Sequence, residues 1–259
     1  MPSVGGRHLT VDIDLANGIA IRGIRDAFTR HQFLGASTPA DLFAFAVNNG
    51  PLRHSSGDTV TLSSNTPDPS TLTLTAGARH ENVGFKVRVT CGNPTDDQAV
   101  IAHVAVVNHE AFPIFLRFVM PLVRGVVTPG SAAQRRFVVP QELGAVVADT
   151  AGPSIGMELN LEVGLPTSMN SMELASFYDA LGGGGLFFAD LDGDVEQGVS
   201  PLQMLAWPAE VNGFWIALIQ PGQSVNVPRL AIGVHHGGDW REAVDDEDGA
   251  EPEWHASAA

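Results

Sequence analysis

The sequence predicts an all-β protein, built as a large two-sheet antiparallel β-sandwich. More than a dozen short segments alternate apolar and polar residues, whereas almost none has the 3.6-residue period of a helix. The 28 glycines and 17 prolines among 259 residues favour many turns between short strands. This number of strands exceeds the roughly seven to nine of an immunoglobulin-sized sandwich, and no fixed internal repeat indicates a propeller.

The first predicted element is a hairpin. Residues 11–15 alternate apolar and acidic side chains, and residues 19–26 resume the strand pattern. Between them, Asn17 and Gly18 are residue types that accept the positive φ angles of a tight turn.

Further strands are predicted along most of the chain. They are residues 59–63, 71–75, 85–91, 98–108, 115–120, 137–139, 143–147, 157–161, 172–178, 185–190, 202–207, 214–219 and 225–234. Segment 98–108 is apolar at both parities, which is typical of a central strand covered on both faces. Residues 239–246 are the one predicted helix, because Asp239 and Glu242 form a capping-box pattern. We therefore expect a β-sandwich domain over 1–238, followed at 239–259 by a short helix and an acidic, disordered tail.

Composition excludes several classes of function. The net charge of −15 argues against nucleic-acid and anionic-membrane partners, which require a basic face. Cys91 is the single cysteine, so no intrachain disulfide forms, and its strand pattern predicts a buried apolar side chain. No signal-peptide pattern or spanning apolar run is present, which predicts a cytoplasmic protein. The sequence lacks a phosphate loop, Gly-x-Ser-x-Gly and Cys-x-x-Cys, so no cofactor is predicted.

Three segments in one order resemble a known family. They are residues 118–125 (FVMPLVRG), residues 166–193 (PTSMNSMELASFYDALGGGGLFFADLDG) and residues 232–244 (IGVHHGGDWREAV). They are similar to the N-terminal β-sandwich of bacterial glycoside-hydrolase-like proteins related to endo-α-N-acetylgalactosaminidases. The resemblance implies a galactose-mutarotase-like sandwich. In that family a (β/α)₈ barrel follows the sandwich and holds the catalytic carboxylates, so no catalytic residue carries over to this chain.

Three functions remain open. The first is a non-catalytic β-sandwich module that binds carbohydrate or supports a separate (β/α)₈ barrel subunit, which would dock on an apolar patch near residues 234–240. The second is a stand-alone mutarotase- or epimerase-like enzyme acting on a sugar. The third is a structural remnant without sugar activity. Fold alone does not decide among them.

Acid–base candidates lie at one central strand. His103 and His109 are six residues apart, which puts them on one face of a regular strand, and Glu110 follows directly. Mutarotases use a histidine acid and a carboxylate base at a sugar ring, and these residue types suit that chemistry. Packed or hydrogen-bonded histidines are the favoured alternative, because no matching motif accompanies them.

Carbohydrate-binding candidates are two aromatic residues and one arginine. Trp207 and Tyr178 could cover the apolar C–H groups of a sugar ring, although core packing is the alternative for both. Arg124 lies in the Arg-Gly turn of the first resembling segment, where an ion pair is the alternative. Trp215 lies in a strongly apolar run, which predicts a core residue.

Metal binding is not predicted, although one acidic turn offers weak candidates. Its alternating carboxylates are Asp190, Asp192 and Asp194. Carboxylate oxygens bind Ca²⁺. However, Gly193 precedes the third acid, unlike the glycine of a calcium loop, and this favours a solvated turn. His235 and His236 are adjacent on a strand and point to opposite faces, so they cannot easily share one ion with Asp239.

Overall fold

The computed structural model describes residues 3–6, 8–34, 40–56, 61–68, 73–91, 99–131, 133–139, 145–148, 174–191, 200–207 and 210–237. In these ranges every regular element is a strand, and the strands form two antiparallel sheets of nine and ten strands. The predicted all-β, two-sheet sandwich is therefore confirmed. The helix and tail predicted over 239–259 lie outside the described residues, as does the strand predicted at 157–161, and the predicted domain boundary stays a prediction.

The nine-stranded sheet contains the first six strands. Its members are β1 (Ser3–Gly5), β2 (Leu9–Asp14), β3 (Ala20–Asp26), β4 (Ala40–Asp41), β5 (Ala44–Val47), β6 (Arg53–His54), β11 (Ile114–Arg124), β16 (Ser200–Trp207) and β17 (Glu210–Ile219). Their order is β1-β2-β3-β4-β11-β17-β16, and β5 pairs with both β11 and β6. Strand β11 thus lies at the centre of this sheet, with β4 and β5 on one side and β17 on the other.

The ten-stranded sheet holds the remaining strands. They are β7 (Thr61–Asp68), β8 (Thr73–His80), β9 (Val83–Cys91), β10 (Ala99–Asn108), β12 (Arg135–Val139), β13 (Ala145–Ala148), β14 (Leu174–Asp179), β15 (Gly184–Asp190), β18 (Ser224–Asn226) and β19 (Leu230–His235). Their order is β13-β12-β14-β15-β19-β10-β9-β8-β7, and β18 pairs with β10.

The core lies between the two sheets and is rich in aromatic rings. Phe43 stacks on Phe118 at 5.2 Å between ring centroids, and Phe45 approaches Phe85 of the opposite sheet at 4.7 Å. Trp215 is completely buried, which confirms the prediction that it is a core residue. Because strand residues alternate between faces, the polar residues of the same strands lie on the outer faces, away from the opposite sheet.

Several elements differ from the sequence prediction in detail. The first hairpin forms as β2 and β3, and Gly18 in the turn has a φ of 81°. The segment predicted as one strand over 225–234 is two strands, because Pro228 has no backbone N–H to continue the ladder. Strand β10 alternates between buried and half-buried residues, so only its inner face is fully covered, contrary to the expectation for 98–108.

The short strands β4, β5 and β6 were not predicted. In the described part of the chain, no helix is long and apolar enough to cross a membrane.

Candidate functional site

The outer face of the nine-stranded sheet carries a carboxylate–imidazole pair. Asp41, on β4, is 7% exposed, and its Oδ2 lies 2.7 Å from Nδ1 of His54 on β6. Its Oδ1 accepts the backbone N–H of Ser56 at 2.9 Å. An ionised carboxylate only accepts hydrogen bonds, so Nδ1 donates to Asp41 and Nε2 is left to contact a ligand. The His54 side chain is 45% exposed, so part of the imidazole is open to solvent.

Ser55 fixes the position of this pair. It is fully buried, and its Oγ donates to the Ile19 carbonyl at 2.6 Å and accepts from the Phe43 N–H at 3.2 Å. Its backbone N–H donates to the Phe43 carbonyl, and its carbonyl accepts from the Ile19 N–H. These four hydrogen bonds hold the residues on either side of it, His54 and Ser56, against Asp41.

An apolar floor adjoins the pair. Ala44, Val119 and Leu122 form a buried cluster on the outer face that is separate from the core cluster. A β-bulge between Val119 and Leu122 puts both residues on this face although they are three positions apart. We call Ala44, Val119 and Leu122 the outer floor.

Two of the three predicted sugar-binding residues lie in one cross-strand row beside the outer floor. Arg124 of β11 pairs with Glu210 of β17, and Glu210 pairs with Trp207 of β16. Positions two apart in a strand share a face, so this row, the Arg124–Trp207 row, belongs to the same face as Leu122. Neighbouring strands are about 4.8 Å apart, which puts the backbones of Arg124 and Trp207 about 10 Å apart.

Tyr178 lies apart from this row, on β14 of the other sheet. It is 6% exposed, and its ring centroid is 5.9 Å from that of His235. Ser176 on the same strand approaches His235 Nε2 with its Oγ at 3.2 Å. In this conformation Tyr178 packs within the protein, and binding a sugar on its ring would require the residues that cover it to move.

The structure does not bring the two acid–base histidines together. His103 is half-buried on the outer face of β10, opposite Arg88, whereas His109 is exposed beyond the end of the strand. Six residues of strand span about 20 Å, which is too far for both rings to contact one sugar ring. Glu110, next to His109, accepts a hydrogen bond from Asn82 at 3.1 Å.

His235 and His236 point in opposite directions, as the sequence predicted. His235 contacts Ser176, whereas His236 Nε2 lies 3.3 Å from Oδ2 of Asp26, at the end of β3. No group of three or more His, Cys, Asp or Glu residues in the described ranges has a metal-binding geometry. Asp192, Asp194 and Asp239 lie outside these ranges, and for Asp190 only the backbone is described, paired with Leu230.

Asp26, at the end of β3, interacts electrostatically with His236, which follows β19 of the other sheet. Its Oδ1 accepts the backbone N–H groups of Phe28 at 2.8 Å and Thr29 at 3.0 Å. Burial raises the pKa of Asp26, but these hydrogen bonds, the Thr29 hydroxyl and the nearby His236 outweigh it and hold the pKa below its ordinary value. Phe28 is 79% exposed with its ring against His236, so an apolar side chain is exposed beside the end of β19.

Neither a protein-family model nor a curated protein matches the sequence. Solved structures do match the fold. A galactose mutarotase-like protein from Lactobacillus casei aligns over 91% of this chain and 100% of its own, with a TM-score of 0.55 and 11% identity. The fold is a galactose-mutarotase-like β-sandwich.

The same sandwich forms part of longer chains. A GH36 alpha-galactosidase from Geobacillus stearothermophilus aligns over 90% of this chain and 40% of its own, at a TM-score of 0.51 and 10% identity. A polysaccharide lyase aligns over 90% of this chain and 33% of its own, at a TM-score of 0.52 and 10% identity. At this identity the likeness establishes the galactose-mutarotase-like fold alone, and function must be argued from the site.

Sequence reasoning missed Asp41 and His54. They lie on the two-residue strands β4 and β6, which are too short to show a two-residue period. The available signal was positional for Asp41 alone, which is an acidic residue directly before the apolar run 42–46.

Proposed function

We propose that the chain is a carbohydrate-binding module of a glycoside-hydrolase-like protein, non-catalytic by itself, and that its sugar lies on the outer floor of the nine-stranded sheet. The observation that carries the proposal is the Arg124–Trp207 row beside the Asp41–His54 pair. Arginine and glutamate offer paired donors and acceptors to adjacent sugar hydroxyls, and an aromatic face covers the C–H groups of the ring. Ligand sites combine an apolar floor with a few convergent polar groups of this kind.

The comparisons support a carbohydrate-related role. Two of the chains with this fold are named as an alpha-galactosidase and a polysaccharide lyase, and each is more than twice as long as the matching part. The endo-α-N-acetylgalactosaminidase-related group remains the family that the three sequence segments suggest. On this proposal a (β/α)₈ barrel subunit is a candidate partner, and the exposed Phe28 beside His236 is where it would dock.

A glycan array followed by calorimetry on the best ligand tests the site. We expect Trp207→Ala and Arg124→Gln each to weaken binding at least tenfold, because each removes a direct contact. Tyr178→Phe is the matched control on the other sheet and should bind as the unmodified protein does. The assignment fails if Tyr178→Phe abolishes binding while Trp207→Ala does not, because the sugar would then lie on the ten-stranded sheet.

A sugar epimerase is the second candidate, and the Asp41–His54 pair favours it. A buried carboxylate that orients an accessible imidazole is the arrangement used for general acid–base catalysis. Saturation-transfer NMR between the anomers of the bound sugar measures this activity directly. Exchange that His54→Gln abolishes while binding persists would identify an enzyme, whereas binding without exchange supports the module. If the protein shows neither sugar binding nor anomer exchange, the third function, a structural remnant without sugar activity, is the one that remains.

Co-purification from the native host tests the barrel partner. The tagged protein and its Phe28→Ser variant are compared, and the bound proteins are identified by mass spectrometry. A glycosidase barrel that is lost from the variant supports docking at Phe28. A protein that is recovered alone argues against a separate barrel subunit.

A further inference from the structure

The outer face of β9 carries a cationic group of side chains that the sugar site does not use. Lys86, the single lysine of the chain, and Arg88 are both exposed and are two residues apart on this strand. The register puts His103 of β10 opposite Arg88. On the other side, β8 puts Gly77 opposite Lys86 and Thr75 opposite Arg88. We call Lys86, Arg88 and His103 the β9 patch.

Within the described ranges, the β9 patch has no counter-charge of its own. Neither Lys86 nor Arg88 forms an ion pair within the ranges that the structure describes, whereas Arg22 and Arg25 on the other sheet pair with aspartates at 2.9 and 3.4 Å. Of 43 formally charged side chains only 14 are Lys or Arg, against 29 Asp or Glu, so carboxylates are abundant as possible partners. Two like charges side by side on a strand repel each other, so the arrangement does not stabilise the isolated sheet.

The surroundings of the β9 patch fit an extended ligand. Gly77 and Ala105 pair with Lys86 on the neighbouring strands, so no long side chain lies directly opposite the cation. Thr75, which is exposed, adds a hydroxyl group on β8 directly opposite Arg88. Cations two residues apart lie about 7 Å from each other along the strand, so they would meet successive charges on an extended chain.

We propose that the β9 patch binds an acidic polysaccharide, a chain of uronic-acid units whose carboxylates meet Lys86 and Arg88 while its hydroxyls meet Thr75. The proposal rests on the carbohydrate-related function above, but it assigns a second surface on the opposite side of the sandwich. Polyphosphate chains are disfavoured, because a net charge of −15 repels them at long range and the patch holds few cations. A carboxylated sugar chain has a lower charge density and offers hydroxyls as well.

Biolayer interferometry with immobilised polygalacturonate tests the proposal at low ionic strength. Three proteins are compared: the unmodified chain, Lys86→Gln/Arg88→Gln, and the control Arg25→Gln/Arg30→Gln, which loses the same charge elsewhere. We expect the first double variant to bind about fivefold more weakly, as for two exposed charge contacts, and the control to bind unchanged. Fully methyl-esterified polygalacturonate, which has the same backbone without charge, should bind none of the three.

Three results would overturn the assignment. They are no binding by the unmodified chain, an equal loss in both double variants, or equally strong binding of poly-glutamate, which would indicate an acidic protein segment instead. Thermal unfolding of each variant confirms that binding is measured on folded protein. The neutral ligand from the glycan array separates the two sites: its binding should be unaffected by Lys86→Gln/Arg88→Gln and lost in Trp207→Ala. If no neutral glycan binds while polygalacturonate does, the first proposal fails and this one stands.

Discussion

Replacing Ser55 with alanine should destabilise the protein and loosen the imidazole of His54. The hydroxyl is completely buried and makes two hydrogen bonds, to the Ile19 carbonyl at 2.6 Å and from the Phe43 N–H at 3.2 Å. Each contributes about 1 kcal/mol net, and alanine leaves both buried partners without the hydroxyl. We therefore expect a loss of about 2 kcal/mol in the free energy of unfolding.

Urea unfolding followed by tryptophan fluorescence measures this loss from the shift in midpoint. Ser56→Ala is the matched control, because the structure uses only the backbone N–H of Ser56 to reach Asp41, and it should cost under about 0.5 kcal/mol. ¹⁵N NMR of the His54 ring reports which nitrogen carries the proton. In Ser55→Ala we expect a mixture of the tautomer protonated at Nδ1 and the tautomer protonated at Nε2. A Ser55→Ala midpoint equal to that of Ser56→Ala would refute the reasoning that the hydroxyl anchors this segment.

The remaining predictions concern a glycine, an ion pair and the carboxylate of the site. Gly233→Ala should cost about 1–3 kcal/mol by thermal unfolding, because a Cβ would overlap the ring of Phe187, and an unchanged midpoint would mean that the ring moves freely. The pKa of Asp26 is lowered, so its contribution is present above the ordinary value of 3.8 and is lost as the pH falls through the folded value. Asp26→Asn should therefore be about 1 kcal/mol less stable at pH 7 and lose less stability as the pH falls below the ordinary value of 3.8, and parallel stability curves for the two proteins would contradict this. Asp41→Ala should leave the sheet intact by circular dichroism but let the His54 proton exchange between the two ring nitrogens, as ¹⁵N NMR reports, and an unchanged spectrum would show that the 2.7 Å contact does not orient the imidazole.

The sequence predicted those parts of the fold that depend on alternation over five or more residues. β2 and β9 were predicted because apolar and polar residues alternate along them, whereas β10 was predicted from apolar residues at both parities. The pairing of distant strands could not be predicted from the sequence. For example, β10 pairs with β9, its neighbour in the sequence, but also with β19, and no sequence pattern indicates that second partner. Burial of the outer half of β10 was overestimated, because apolar residues at both parities do not require a second covering layer.

The candidate site was only partly visible in the sequence. Trp207 and Arg124 were singled out for their residue types, but their common row exists only through the register of β11, β17 and β16. The contact between Asp41 and His54 could not be predicted from the sequence, because it joins two strands of only two residues each. Conversely, even spacing made His103 and His109 look like a pair, although strand geometry puts them about 20 Å apart.

The β-bulge in β11 determines which of its residues form the outer floor. In an uninterrupted strand Val119 and Leu122 would face opposite ways, and the extra residue makes them share a face. Deleting a single residue at positions 120–121 would therefore bring Val123, now a core side chain, to the surface and turn Leu122 and the Arg124 position inward. A homologue that differs by one residue in length here would present a different outer floor on the same two sheets. Among such sandwiches, we therefore expect ligand preference to change with insertions and deletions at this point more than with substitutions.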